Sequence, residues 1–263
     1  MSKVDNVGHG DCTEIKIAHF TKIIGMHLAI TQSVLKKYPT LYPQYYRYIE
    51  LTAGKGISPD GKIKGSPVAF LEQAELENFK LPYQADFIEC ETKNIGELEQ
   101  ALTHERKNQG WKGINWNFHC SKYQDEIPLL LKQKSDEFGL VFVDPSGNIP
   151  DFDTLHYIAE MRPKMEILIY LPSTNVKRIF QYTGKRLTDY LDAIGKKNWL
   201  IRNSISWDQF KWTFLLGTNA SIFKNYKSIE FFTLDTKRGK DILEKLNLTE
   251  KEQIESKQYR LDL

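Results

Sequence analysis

Between Tyr46 and Leu171 the sequence alternates short apolar runs with longer amphipathic stretches, and this alternation constrains the fold more than any other feature. The apolar runs are Tyr46–Leu51, Ala85–Cys90, Ile114–Cys120, Leu140–Val143 and Glu166–Leu171. Each has the length of a strand. Between them, Pro67–Asn78, a segment opened by Asn94, Ile127–Lys134 and Thr154–Met161 read as helices. Strands joined through helices pair in parallel, because a parallel crossover needs a dozen or more residues. The expectation is an α/β fold with a mostly parallel sheet and helices on both faces.

Helix-start signals sharpen this reading. Ser66 precedes Pro67, which suits the N-cap and first helical positions. Asn94 and Glu97, and then Ser121 and Gln124, have capping-box spacing. Ahead of the first strand, Glu14–Lys37 carries Ile17, Ile24, Leu28 and Leu35 at helical spacing and is stopped by Pro39 and Pro43. Residues 1–45 are thus expected to form an N-terminal helical extension, and 46–263 a Rossmann-like domain. After a helix near Leu187–Ile194, Lys211–Leu216 and Ile229–Leu234 read as strands. Their connection, GTNASIFKNYK, is short for a crossover helix, so an antiparallel pair at the sheet edge is expected, seven strands in all.

Composition excludes several classes. With 263 residues, 41% of them hydrophobic, the chain can bury a large core, yet no apolar run reaches membrane-spanning length. The first residues lack the apolar core of a secretory signal. Three cysteines (Cys12, Cys90, Cys120) without CxxC spacing fit reduced thiols in a cytoplasmic protein better than a disulfide framework or zinc site. The six histidines form no HxH or HExxH pattern, so no metal is expected. A formal charge of +2 leaves nucleic acid open as a partner, to be decided by local clustering.

In a doubly wound sheet, ligands bind beyond the carboxyl ends of the strands. The first strand runs into Glu50-Leu51-Thr52-Ala53-Gly54-Lys55-Gly56, a turn whose glycines allow positive φ and close backbone approach. It is neither GxGxxG nor a P-loop, and it also reads as a plain structural turn. The second strand ends in FIECE, where Glu89, or alternatively Glu91, is placed to accept two ribose hydroxyls. Ser121 closes the third strand, where it serves either an adenine or a helix cap. Asp144-Pro145-Ser146-Gly147 follows the fourth strand, as a turn or as an acid facing a substrate amine.

These residues resemble the class I S-adenosylmethionine (SAM)-dependent methyltransferases, and more closely the three-Cys-motif partner proteins. The resemblance rests on a Lys-bearing N-terminal helix, on YIELTAGKG, on the Gly-Ser-Pro entry of KGSPVAFLEQA, and on FVDPSG. It spans roughly residues 14–175. It implies that Glu50, Ala53, Gly54 and Gly56 line the methionine part of SAM, that Glu89 holds its ribose, and that Ser121 lies near the adenine. Asp144, with Pro145, would face the methyl acceptor. Ser146 stands where the family has an aromatic, and together with Lys177 and Arg178 is expected to meet the substrate. The implied activity is methyl transfer to nucleic acid, with a protein partner possible and no membrane. Two alternatives stand beside it. One is a binding module that has lost catalysis, motivated by Thr52, Ser146 and Lys55, whose ammonium would repel a sulfonium if it entered the cofactor pocket. The other is a small-molecule methyltransferase.

Two stretches are candidates for nucleic-acid contact. LKKYPTLYPQYYRY interleaves tyrosines with Lys36, Lys37 and Arg47. Beyond the fifth strand lie Lys177, Arg178, Lys185, Arg186, Lys196 and Lys197, with Tyr182 and Tyr190 among them.

Overall fold

The computed structural model describes residues 13–58, 60–113, 115–145, 148–207, 210–221 and 223–247. Strands β1 (Tyr46–Glu50), β2 (Tyr83–Glu89), β3 (Trp116–Cys120), β4 (Phe138–Val143) and β5 (Met165–Pro172) are all parallel. They stand in the order β3-β2-β1-β4-β5, with β1 central. Helices α2 (Ser66–Ala74), α3 (Thr92–Gln109), α4 (Tyr123–Leu130) and α5 (Phe152–Met161) make the crossovers. Alternate residues of β1 explain the two layers. Tyr46 and Tyr48 pack with α1 (Thr13–Lys37), α2 and α3, while Ile49 and Leu51 pack with α4 and α5.

Beyond β5 the chain departs from the expected arrangement. Helices α6 (Ser173–Thr183) and α7 (Leu187–Ile194) lead into a strand that sequence reading missed, β6 (Asn198–Arg202). Strands β7 (Ile205–Trp207), β8 (Phe210–Thr218) and β9 (Phe231–Thr233) follow. β8 inserts antiparallel between β5 and β6, and β9 runs antiparallel along the far side of β6. Among the described residues the sheet therefore has nine strands rather than seven, and the two strands expected to pair as a hairpin lie on either side of β6. The segment between them folds as α8 (Phe223–Tyr226) and a 3-10 turn, Lys227–Ile229. β6 escaped notice because Lys196 and Lys197 precede it and make the region read as a basic surface. Its apolar residues Trp199, Leu200 and Ile201 are nonetheless buried. A last helix, α9 (Lys237–Asn247), packs Ile242 and Leu246 into the second layer.

Three helix starts also differ. Gly65 is the N-cap of α2, α3 begins at Thr92, ahead of Asn94, and Lys122 is the N-cap of α4. Ser66 and Ser121 do not cap because their hydroxyls bond elsewhere, to Glu50 and to the Lys122 carbonyl.

α1 is anchored by more than apolar contact. Phe20, Ile23, Ile24 and Leu28 are buried against the sheet, and Leu35 is buried as well. His27 touches the Tyr46 hydroxyl at 2.7 Å and Glu166 at 3.0 Å, and Thr218 donates to the other Glu166 oxygen at 3.0 Å. This chain satisfies four buried polar side chains, and a buried group left unpaired costs about 1–3 kcal/mol. Phe20 is completely buried. Phe20→Ala should therefore lower stability by about 3–5 kcal/mol in urea denaturation, whereas a loss below about 1 kcal/mol would show α1 to be peripheral.

Candidate active site

The parallel strands end at one edge, and the carboxylates noted in the sequence converge there. Parallel register sets Glu50 opposite Phe87 and Phe142, so Glu89 and Asp144 each lie two residues further out on the flanking strands. The turn after β1 passes between them.

Glu50 is the deepest of the three. It is fully buried, with one oxygen accepting the Tyr48 hydroxyl at 2.8 Å and the other the Ser66 hydroxyl at 2.5 Å. Burial pushes its carboxyl up to about 8; these two hydroxyls pull the other way without offsetting it. Tyr48 is fixed by stacking on Phe70 with ring centroids 3.8 Å apart.

The glycine turn takes the positive φ its sequence suggests, +63° at Gly54 and +78° at Gly56. A Cβ at Gly54 would enter open space, whereas one at Gly56 would lie 2.6 Å from Leu98. Gly54 thus borders the opening, and Gly56 is small so that α3 can pack close. The Ala53 N–H donates to the Ile88 carbonyl at 2.9 Å, and the Gly54 N–H to Glu89 Oε2 at 3.0 Å. Glu89 Oε1 accepts the Glu91 N–H at 3.0 Å. Oε2 has room for a second donor, and the second place on Oε1 is held by the Cys90 thiol at 3.6 Å, a weak donor that a hydroxyl would displace. Lys55 is drawn away to α3, 3.5 Å from Glu97, and only 7% exposed. Ser121 is half-buried beside this edge, its N–H donating to the Glu89 carbonyl at 3.1 Å.

Asp144 is held from two sides. Thr52 Oγ1 donates to the Asp144 carbonyl at 2.8 Å and accepts the Asp144 N–H at 3.0 Å. Lys16 Nζ of α1 lies 2.6 Å from Asp144 Oδ2 and 5.0 Å from the centre of the Tyr170 ring. The Pro145 carbonyl accepts the Asn148 N–H at 2.5 Å. Ser146, and Gly147 beside it, lie outside the described residues, as does Cys12. Thr52 read as a mere departure from a motif, and the Lys-bearing N-terminal helix of the resemblance did not single out Lys16. Only α1 docking across the strand ends brings Lys16 to Asp144.

The two basic stretches fare differently. Arg47 is buried and ion-paired with Asp86, and Tyr46 and Tyr48 are wholly buried. Those three residues are thus withdrawn from nucleic-acid contact, whereas Lys36, Lys37 and Tyr38 at the end of α1 stay exposed. Lys196 is buried at the amino end of β5, donating to the Met165 carbonyl at 2.6 Å and the Arg162 carbonyl at 3.3 Å. It leaves the expected basic rim. Lys177 and Arg178 are exposed on α6, which starts from the carboxyl end of β5. Among the described residues, no cluster of His, Cys, Asp or Glu suits a metal ion, and no helix is long and apolar enough to cross a membrane.

The pH behaviour of Glu50 is testable. Unfolded chain ionises this carboxyl near 4.5, and folded chain near 8. Between those values the native state holds a proton that the unfolded state has lost. The stability this contributes is complete below about 4.5 and is lost as pH rises to about 8. Calorimetric melting of wild type and Glu50→Gln should show a Tm difference that shifts by several degrees across that window and is constant above it. A pH-independent difference would show that Glu50 ionises normally.

No protein-family model matches the sequence. No curated protein matches it either. Several solved structures are similar at low identity. A Legionella pneumophila str. Philadelphia 1 protein is 13% identical, with a TM-score of 0.48, over 80% of this chain and 90% of its own. A human methyltransferase 10 domain containing protein is 9% identical, with a TM-score of 0.44, over 81% and 85%. An rRNA methylase from Streptococcus thermophilus is 7% identical, with a TM-score of 0.40, over 78% and 95%. The fold rests on the chain's own strand order: a Rossmann-like, mostly parallel sheet with an antiparallel strand between β5 and β6.

Proposed function

We propose that the chain is a SAM-dependent methyltransferase acting on nucleic acid. The observation that carries this reading is the joint placement of two acids at one sheet edge. Glu89 is tied to an open glycine turn, and Asp144 is clamped by Thr52 and Lys16. The open space at Gly54, the spare acceptor place on Glu89 Oε2 and the weak thiol donor on Oε1 fit a ligand with a ribose diol. When bound, SAM supplies an electrophilic methyl group. Glu89 would hold the ribose, Ala53, Gly54 and Gly56 the methionine part, and Ser121 would stand near the adenine. Glu50 supports the turn from below, because Ser66 and Tyr48 bind it on the inner side.

Asp144 would accept a hydrogen bond from the acceptor amine, orienting its lone pair toward the methyl group. Lys16 holds that carboxylate in place and Thr52 fixes its backbone. Pro145 carries the chain out of β4 at the same point. The finer resemblance, to three-Cys-motif partner proteins, belongs to this proposal and rests on the motifs alone, as does a protein partner.

One observation favours the competing reading of a binding module without catalysis. Lys16 occupies an Asp144 oxygen that an acceptor amine would use. Calorimetric titration with SAM separates the readings. The wild type should bind, Glu89→Ala should lose binding by at least about tenfold, and Asp144→Ala should bind normally while losing methyl transfer to DNA and RNA substrates. Normal turnover by Asp144→Ala would remove this residue from the reaction. Absence of SAM binding by the wild type would favour the binding module.

A further inference from the structure

Helices α6, α7 and α9 enclose an open groove of about 700 Å³ on the second face of the sheet. This lies in the range of ligand sites, about 300–1,000 Å³. Its apolar lining is Val176, Leu187 and Leu243. Each helix also contributes a cation: Lys177 from α6, Arg186 at the start of α7, and Lys240 from α9. All three are exposed, and among the described residues Glu244 is the one carboxylate in the lining. Leu187 and Thr188 form the first turn of α7, where Asp189 accepts the Arg186 N–H at 2.9 Å and so fixes the helix start beside the groove.

The groove is joined to the candidate active site. α6 starts at Ser173, immediately after β5 ends at Pro172. At about 1.5 Å per residue, Lys177 lies about 6 Å along the helix from that edge. Asn175, fully buried between them, donates its amide to the Asn148 carbonyl at 2.6 Å and so ties α6 to the loop that follows Asp144. A ligand in the groove and an acceptor at Asp144 would thus be held by one connected piece of structure.

We infer that this groove binds the strand flanking the acceptor nucleotide, with phosphates on Lys177, Arg186 and Lys240 and a base against Val176, Leu187 and Leu243. The inference rests on the methyltransferase reading for its substrate class. Charge complementarity supplies the argument for the occupant: three cations circle an apolar floor, and a single strand presents phosphates beside flat apolar base faces. An acidic peptide would satisfy the cations and leave the floor bare.

The test uses the full chain and fluorescein-labelled single-stranded DNA and RNA of mixed sequence, about 20 nucleotides long, followed by anisotropy across a salt series. Wild type should bind with log Kd linear in log salt. The double variant Lys177→Gln/Lys240→Gln, confined to exposed helical positions, should bind about tenfold more weakly, with a slope shallower by about 0.7 per lost contact. Charge reversal to Glu at the same positions should weaken binding further. Lys132→Glu/Lys134→Glu, exposed before β4, should match wild type. Groove variants that bind like wild type would overturn the inference. So would a wild type that binds neither oligonucleotide, including one that binds poly-glutamate instead. SAM titration of the same preparations keeps the two ideas apart. Loss of SAM binding with groove-dependent oligonucleotide binding would sink the methyltransferase reading alone. SAM binding with groove-independent oligonucleotide binding would sink the groove alone.

Discussion

A buried carboxyl at the end of the central strand organises this protein. Glu50 has no exposed surface, and its two oxygens are taken by Tyr48 from its own strand and by Ser66 at the start of α2. Burying an acid is unfavourable unless hydrogen bonds replace water, so the first residue of α2 is drawn to the tip of β1. The intervening residues must then leave and return within a short distance. They do so through the glycine turn and a small loop in which the Gly65 N–H meets the Gly56 carbonyl at 2.6 Å. The opening at Gly54 and the reach of its N–H to Glu89 follow from that closure.

The second constraint acts through α1. His27, Tyr46, Glu166 and Thr218 form a buried polar chain that fixes the middle of the helix against three strands. Lys16 lies earlier on the same helix, about 16 Å away at 1.5 Å per residue. A rigid helix pinned at His27 and packed through Phe20 delivers Lys16 to Asp144. Strands β1, β2 and β3 are tied across the sheet by charge pairing instead. Arg47 and His119 bind Asp86, and His119 reaches Glu126 at 2.9 Å. Burial opposes ionisation of Asp86, but these partners and Asn117 together hold its carboxyl below the usual range. Hydrogen bonding to Asp86 raises the imidazole of His119. Of the basic and aromatic residues that looked suited to nucleic acid in the sequence, Arg47 is consumed in this pairing, and Tyr46 and Tyr48 in the core.

Much was legible in the sequence. Four of the five parallel strands announced themselves because a strand buried on both faces is a short apolar run, β3 is the partly exposed exception, and the turn residues fall where the strands end. Glu89 and Asp144 were visible because Glu89 stands at the end of one such run and Asp144 immediately beyond another. Other features were hidden for physical reasons. β6 is flanked by lysines, one of which is buried with its ammonium on backbone carbonyls, and no local rule anticipates that. Ser66 and Ser121 carry the residue type of a helix cap, yet a stronger or nearer acceptor claims each hydroxyl. Thr52 and Lys16 act on Asp144 from positions 92 and 128 residues away, beyond the range of any spacing argument.

The sequence by itself therefore determined the layered α/β architecture and the positions of the strand-end acids, because periodicity and turn chemistry are local properties of a chain. Tertiary structure decided which polar groups remain available at the surface of the site. Lys55 and Arg47 were withdrawn into ion pairs, Lys16 was brought in, and Lys177, Arg186 and Lys240 were gathered around one groove. Charges choose their partners through space, and desolvation on packing determines which pairings survive.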